Sequence, residues 1–497
     1  MESLKTDTIN NPDVVSQDSS SGLKRKLKTR HLSMIAIGGT IGTGLFLGSG
    51  GAISQSGPGG ALLSYIIIGI MVYFVVSSLG EMATILPIAG SFEAYASRFV
   101  DPALGFALGW NYWFLWASAI PAELSAGALI MQYWFPHIPA VVWSALFMAL
   151  ILALNIFSVR GYGEGEYWFS MVKVASVILF ILIGLAMIVG IFGGHAIGFS
   201  NFLLGGSPFH GGFNAMAGVL LIAGFAFSGA ELVGLTAGES DNPRISVPKA
   251  IRQVFWRILI FYVLAIIVIG FILPYTDPRL LDSGLNDIAV SPFTLVFKRA
   301  GLAFAASLMN AVILTAVLSA GNSAMYASSR MLWALGKSGK APKIFNKVNH
   351  RGVPLNTIYL TTLIGFSAFL SSFFGNGVIY NWLLNIGGLS GFIAWLGISF
   401  SHYRFRKAYI RQGRDLNELP YKAKFYPFGP VFSIIVGLII VFGQDYSAFS
   451  GSSVNWASLL TTYIGLPVFF ILWFGYKYFK KTKVVPLLEC DFEHQED

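Results

Sequence analysis

The chain has 497 residues, of which 55% are hydrophobic and only 11% charged. Soluble domains carry about a quarter charged residues, so this composition excludes a soluble enzyme or binding module and points to a multi-spanning membrane protein. A single cysteine, Cys490, excludes an internal disulfide framework and a cysteine-based metal cluster, and the net charge of +9 must be read from where the basic residues lie.

Residues 1–30 are polar, end in the basic run Lys24, Arg25, Lys26, Lys28 and Arg30, and show no signal-peptide pattern with a cleavage site. They are expected to form a cytoplasmic N-terminal tail. Apolar runs long enough to cross the hydrocarbon core follow near 32–54, 60–86, 103–134, 141–158, 167–193 and 214–237. Six more fall near 254–275, 301–330, 356–375, 379–402, 428–445 and 456–478. These twelve are read as helices, because an open sheet cannot span a bilayer. Of the 33 Lys and Arg, all but four lie in the tails or in connections that alternate to the N-terminal side. The exceptions are Arg279, Lys298 and Arg299 on the opposite side and Lys173 inside a span. This asymmetry places both termini in the cytoplasm. The charge excess is therefore topology, with some attraction to anionic lipid, and nucleic acid is not a partner.

The first span is the least regular. In Ile35 to Gly48, IAIGGTIGTGLFLG, Gly38, Gly39, Gly42, Gly44 and Gly48 interrupt the apolar run. Glycine costs about 1 kcal/mol against alanine inside a helix. Broken backbone survives in lipid only where it is buried in protein or lines a cavity. Two half-helices meeting at Gly42 to Gly44 would leave free N–H groups suited to a carboxylate; the alternative is a glycine face for close helix packing. The sixth span repeats the feature at Gly224 to Gly238, GFAFSGAELVGLTAG. Interrupted spans at matching places point to an inverted repeat around a midplane site. Residues 31–193 would form the first five-helix unit, 194–213 an extracellular loop and 214–402 the second unit. A cytoplasmic loop (403–427), helices eleven and twelve (428–480) and a cytoplasmic C-terminal tail (481–497) lie outside the repeat. Gly/Ala-rich stretches at Ser319 to Ala324 and Asn385 to Gly391 are expected to be packing surfaces that approach the cavity.

Several motifs carry a family resemblance. RHLSMIAIGGTIGTGLFLGSG, LGWNYW at 108–113, GESDNP at 238–243 and AVLSAGNSAMYASSRMLWAL at 316–335 resemble the amino acid–polyamine–organocation permeases, in particular their bacterial amino acid transporter branch. EYWFSMVKV (166–174), RQVFWRIL (252–259), SPFTLVFK (291–298) and GFIAWLGISFSHYRFR (391–406) resemble the lysine-transporting members of that branch. The likeness runs from about Leu23 to Lys483. It implies an all-α LeuT/APC fold of 12 transmembrane helices, as a 5+5 inverted repeat plus helices 11 and 12. It also implies uptake of L-lysine coupled to protons.

A zwitterionic amino acid needs donors for its carboxylate and acceptors for its ammonium. Free N–H groups around Gly42, Thr43 and Gly44, with the Thr43 hydroxyl, would serve the carboxylate; unpaired carbonyls near Thr40, Phe225, Ala226 and Ser228 would serve the ammonium. The resemblance implies the same clamp, with Thr43 and Gly44 in the carboxylate positions. Lys173 is an ammonium inside the fifth span, where a charge costs at least about 2.5–3.5 kcal/mol. In related transporters of the LeuT fold a sodium ion occupies this region, and the resemblance implies that Lys173 is its protonatable substitute. The alternative is a fixed cation bound to the unwound carbonyls of helix 1.

Three carboxylates fall in the membrane. Glu123 lies midway along helix 3, Glu231 follows the helix 6 break, and Glu239 stands eight residues further, two turns along a helix and within about 80°. A lysine ε-ammonium needs a charged acceptor in a pocket sealed from water. Glu123 and Glu231 are the candidates, with Glu231 alternatively a tether between helix segments or part of the proton path. Glu239 is assigned a gating or structural role. Tyr112 and Trp116 are four apart and share a face; with Phe225 they would cover the bound amino acid, Trp116 adding a cation–π contact. Ser319 and Ser390 are candidates for the side-chain end of the pocket. Glu81 is expected to be a structural partner, and the seven histidines to form no proton relay.

No GxxxxGK[ST], HExxH or CxxC pattern occurs. ATP is therefore not the driver, and the chain is read as a transporter rather than an enzyme, with no cofactor beyond the coupling ion H+. The resulting expectation is a lysine–proton symporter of the bacterial cytoplasmic (inner) membrane, working by alternating access of the helix 1, 2, 6 and 7 group. Its rivals are a permease for arginine, ornithine, an aromatic or a GABA-like amino acid, an antiporter with a decarboxylation product, a transporter-like lysine sensor with low flux, and a channel. A regulatory membrane protein is a further candidate partner.

Overall fold

Every segment of regular structure among the described residues is helical, as backbone that must satisfy itself inside lipid requires, apart from one isolated bridge between Leu27 and Ser240. The structure, a computed structural model, describes residues 27–39, 41–88, 90–157, 159–191, 196–281, 291–370, 376–443 and 456–493.

The first half runs through α1 (Thr29–Met34), a π-helical stretch (Ile35–Gly39), α2 (Thr43–Phe46), α3 (Gly48–Ile85), α4 (Phe92–Phe99), α5 (Pro102–Gln132), α6 (Ala140–Phe157) and α7 (Val159–Ile188). Then come α8 (Gly212–Phe227), α9 (Leu232–Ala237), α10 (Pro243–Arg257), which continues through a π-helical stretch (Ile258–Val263) into α11 (Leu264–Ile272), α12 (Pro278–Leu281) and α13 (Pro292–Arg299). The chain goes on as α14 (Ala303–Lys337), α15 (Leu355–Gly365), α16 (Asn376–Arg411), α17 (Phe428–Gly443), α18 (Trp456–Tyr463) and α19 (Gly465–Lys480).

Among the described residues six helical runs are long and apolar enough to cross a membrane: Gly48–Ile85, Pro102–Gln132, Tyr162–Ile188, Gly212–Ala237, Pro243–Ile272 and Ser307–Lys337. Shorter apolar helices occur at Ala140–Ile156, Leu355–Phe369 and Phe428–Gly443. The multi-spanning all-helical reading holds. The first run joins two expected spans, and they part where expected: Gly57 is non-helical, at φ 72° and ψ 170°. Only glycine fits there, because a Cβ would lie 2.6 Å from the Pro208 carbonyl oxygen, which also accepts the Gly59 and Gly60 amides.

Burial separates the centre from the lipid face. In the apolar window of Pro102–Gln132 83% of residues are buried, against 39% in that of Tyr162–Ile188. Accordingly α5 packs against both α14 and α16, while α7 turns Trp168 and Leu182 outward. Two differences from expectation matter below. Helix α7 begins at Val159 rather than near 167, so Glu166 lies within it. The segment 481–493 is not a free tail: Val485 N donates to Val100 O, and Cys490 and Phe492 are buried.

Candidate functional site

Both glycine-rich spans break as expected. After the π-helical stretch the chain resumes as α2, with Gly42 at its N-cap in a non-helical conformation (φ −137°, ψ −149°). The first i→i−4 bond of α2 runs from Phe46 N to Gly42 O, so helical geometry leaves the N–H groups of Thr43, Gly44 and Leu45 without intrahelical acceptors. In the sixth span α8 ends at Phe227, Ser228 turns to ψ 140°, Gly229 takes φ 92°, and α9 begins at Leu232.

The two breaks meet. A Cβ on Gly44 would lie 2.5 Å from Ala226 Cα, so only glycine permits this approach. Around the contact lies a small cavity lined by Gly42, Thr43, Gly44, Leu115, Trp116, Ala119, Glu123, Phe225, Ser228 and Ala320. Leu115, Ala119 and Glu123 recur every four residues and give α5 one continuous wall. Glu123 Oε1 accepts the Thr43 hydroxyl at 3.0 Å, while Oε2 and Trp116 Nε1 have no hydrogen-bond partner among the described residues.

Other expected residues stand elsewhere. Thr40 lies outside the described residues. The Phe225 and Ala226 carbonyls, expected to be unpaired, already accept the Ser228 amide at 3.1 Å and the Tyr262 hydroxyl at 2.9 Å, leaving each one further lone pair. The Thr43 hydroxyl is engaged by Glu123. Tyr112 stacks edge-on against Trp116 at 6.0 Å but turns its hydroxyl to Glu231 Oε1 at 3.1 Å. Glu231 also accepts from the Gly229 amide and from Trp395 Nε1 at 3.0 Å, and is absent from the cavity wall. This is the tether arrangement, tying the α8–α9 break to α5 and α16. Ser390 offers its carbonyl to Asn111 Nδ2 at 2.8 Å rather than facing the cavity.

Ser319 requires a larger correction. Its neighbour Ala320 lines the cavity, and Ser319 instead receives Lys173 Nζ at 2.9 Å and donates to Glu166 Oε1 at 2.5 Å. Lys173 and Glu166 are fully buried with Nζ and Oε1 3.6 Å apart. Glu166 escaped the sequence reading, although it stands seven residues, two helical turns, before Lys173 on the same face. Glu239 Oε1 accepts from buried Arg330 at 3.2 Å, and its carbonyl accepts the Leu27 amide at 3.1 Å. Glu81 is a buried partner of Arg406, as expected of a structural residue.

A family model described as "Amino acid permease" matches residues 31–489. The chain is 58% identical to the lysine-specific permease LysP of Escherichia coli (strain K12) over 95% of this chain and 96% of that protein. It is 49% identical to the lysine-specific permease LysP of Lactococcus lactis subsp. cremoris (strain MG1363), over 96% of this chain and 94% of that protein. The histidine permease HisP of the same Lactococcus strain is 50% identical, over 96% of this chain and 100% of that protein. These relatives are permeases, not enzymes, and a broken-helix cavity within a bundle of apolar helices is what such proteins require. The chain belongs to the amino acid permease family.

Proposed function

We propose that this chain imports L-lysine by proton symport through alternating access in a bacterial cytoplasmic membrane. The proposal includes twelve spans, a five-plus-five inverted repeat over 31–193 and 214–402, and cytoplasmic termini. The observation that carries it is Glu123: a buried carboxylate in the cavity wall with one oxygen unpartnered, beside a helix break whose N–H groups suit a carboxylate. An anionic acceptor of that kind suits the ammonium of a basic amino acid.

In this reading the substrate carboxylate meets the N–H groups of Thr43 and Gly44, and its α-ammonium the remaining lone pairs of the Phe225 and Ala226 carbonyls and the Ser228 region. Glu123 Oε2 receives the side-chain ammonium, while Leu115, Ala119 and Trp116 cover the methylenes. Lys173 carries the coupling proton, and the Glu239–Arg330 pair serves as a gate or brace. Two relatives named as lysine-specific permeases support the substrate.

The 50% identity to a histidine permease favours a second reading, in which the same cavity takes histidine. Uptake of labelled L-lysine into proteoliposomes, with and without an inward proton gradient, separates the two. Histidine, arginine, ornithine, phenylalanine and GABA serve as competitors. Gradient-dependent accumulation blocked by lysine alone is the expected result. Block by histidine moves the substrate, accumulation indifferent to the gradient removes the symport, and binding without uptake replaces transport by sensing.

A further inference from the structure

Three fully buried side chains behind the cavity form hydrogen bonds that all run one way. Lys173 Nζ donates to Ser319 Oγ at 2.9 Å, and Ser319 Oγ donates to Glu166 Oε1 at 2.5 Å. Glu166 Oε2 has no hydrogen-bond partner among the described residues. A buried ion pair is costly unless its remaining polar atoms are satisfied, so a half-satisfied carboxylate here is poor material for a purely structural brace.

Polar residues continue along both helices. On α7, Tyr162, Glu166, Ser170 and Lys173 recur at helical spacing; on α14, Ser319, Ser323, Tyr326 and Arg330 do the same, and all eight are buried. The stripes face each other. Beyond the Glu166–Ser319–Lys173 contacts, Tyr162 Oη lies 3.3 Å from Ser323 Oγ, and the Tyr162 and Tyr326 rings stack at 4.1 Å with 3° between their planes. Arg330 lies 4.3 Å from the Tyr326 ring centroid and binds Glu239. A membrane protein keeps ionisable groups at such depth for function.

We propose that Glu166 accepts the coupling proton from Lys173, and that the seam between α7 and α14 leads it toward the Glu239–Arg330 pair. An N–H bond of the Lys173 ammonium breaks as an O–H bond forms on Ser319; the original Ser319 O–H bond breaks as its hydrogen joins Glu166 Oε1. The ion pair becomes a neutral amine and a neutral carboxylic acid, with protons and electrons conserved and no co-reactant. Besides Glu166, the charged groups near Lys173 are Glu123 from α5 and Arg257 from α10; the Tyr162 phenol stands near Glu166, and Arg330 and Glu239 lie near Tyr162. The inference rests on the symport reading above.

The test uses the full chain in proteoliposomes. Lysine accumulation under an inward proton gradient is compared with lysine exchange in the absence of a gradient, across a range of pH. Glu166→Gln keeps the shape but cannot take the proton, so accumulation should fall at least about tenfold, the scale of a lost proton-transfer group, while exchange falls much less and its pH profile flattens. Glu166→Asp should restore part of the accumulation. Ser319→Ala, which leaves both ionisable groups in place, should give the same pattern with a smaller loss. Accumulation by Glu166→Gln equal to that of the parent overturns the proposal. So does an equal fall of accumulation and exchange in both Glu166→Gln and Ser319→Ala, the signature of a packing defect. A parent protein indifferent to the proton gradient overturns the symport reading itself, and that arm is measured first.

Discussion

Thr43 donates its hydroxyl to Glu123 Oε1 across 3.0 Å, joining the short helix after the first break to the central helix α5. The bond engages one oxygen of a carboxylate in the cavity wall and leaves the other without a hydrogen-bond partner among the described residues. Glutamine at 123 can keep the Thr43 bond and loses only the charge. Hydrogen bonds to charged groups are worth about 1.5–3 kcal/mol, so Glu123→Gln should raise KM for lysine about 10- to 100-fold with a smaller effect on maximal rate. Initial-rate uptake over a range of lysine concentrations measures this, and an unchanged KM would remove Glu123 from substrate binding.

Gly44 is a point of close approach between the two broken helices. A methyl group there would meet Ala226 backbone atoms at 2.5 and 2.9 Å, and backbone cannot swing aside as a flexible side chain can. Gly44→Ala should therefore abolish uptake and lower thermal stability by about 1–3 kcal/mol, the usual range for overpacking. Gly51→Ala is the control, since nothing lies within 4 Å of its Cβ position. It should leave stability equal or up to about 1 kcal/mol higher, through helix propensity. Thermal unfolding of the purified proteins compares the two.

Both breaks were legible because glycine inside an apolar run leaves a mark in one dimension. Glu123 was legible for a related reason: a charge within a span is conspicuous. Glu166 was hidden by an end effect, since a span drawn from 167 leaves it outside the membrane, whereas the polar first turns of α7 extend the helix back to Val159. Ser319 and Ala320 differ by one position, about 100° around a helix, and no composition signal says which of two small residues faces the cavity. The tethering of Glu231 depends on Trp395, 164 residues away, a pairing visible only in three dimensions.

Asp277, beyond the end of α11, accepts from Arg279 Nε at 2.9 Å and Nη2 at 2.8 Å, and from Arg299 Nη2 at 3.3 Å. The Arg279 guanidinium, helped by Arg299 and opposed by partial burial, holds the carboxyl below its ordinary value of 3.8. The folded state therefore binds this proton less readily than the unfolded state. The stabilisation is present in full above the ordinary value and is lost as pH falls through the lower folded one. It is modest, because the arginine side chains are 49% and 37% exposed. Thermal unfolding scanned from about pH 5 to pH 3 should fall more steeply for the parent than for Asp277→Asn. Parallel curves would mean that the pair contributes no pH-dependent stability.

Cys490, the sole cysteine, reports on the docking of segment 481–493. Burial pushes its thiol above the ordinary 9.0, and Gln412 Nε2 holds its carbonyl at 2.8 Å. Beside it Arg98 pairs with Asp491 at 3.1 Å, and the Phe492 ring packs against Phe99, Phe405 and Tyr409 with Arg414 4.8 Å from its centroid. Thiolate is the reactive form, so a buried thiol of raised pKa should label slowly with maleimide at neutral pH. Removing a buried phenylalanine side chain costs about 3–5 kcal/mol, enough to raise the undocked population well over tenfold, and labelling of Phe492→Ala should speed up accordingly. Arg98→Ala, which removes a half-exposed ion pair, should give a smaller increase of about fivefold or less. Rapid labelling of the parent, or equal rates in all three proteins, would show that the segment is not held against α16.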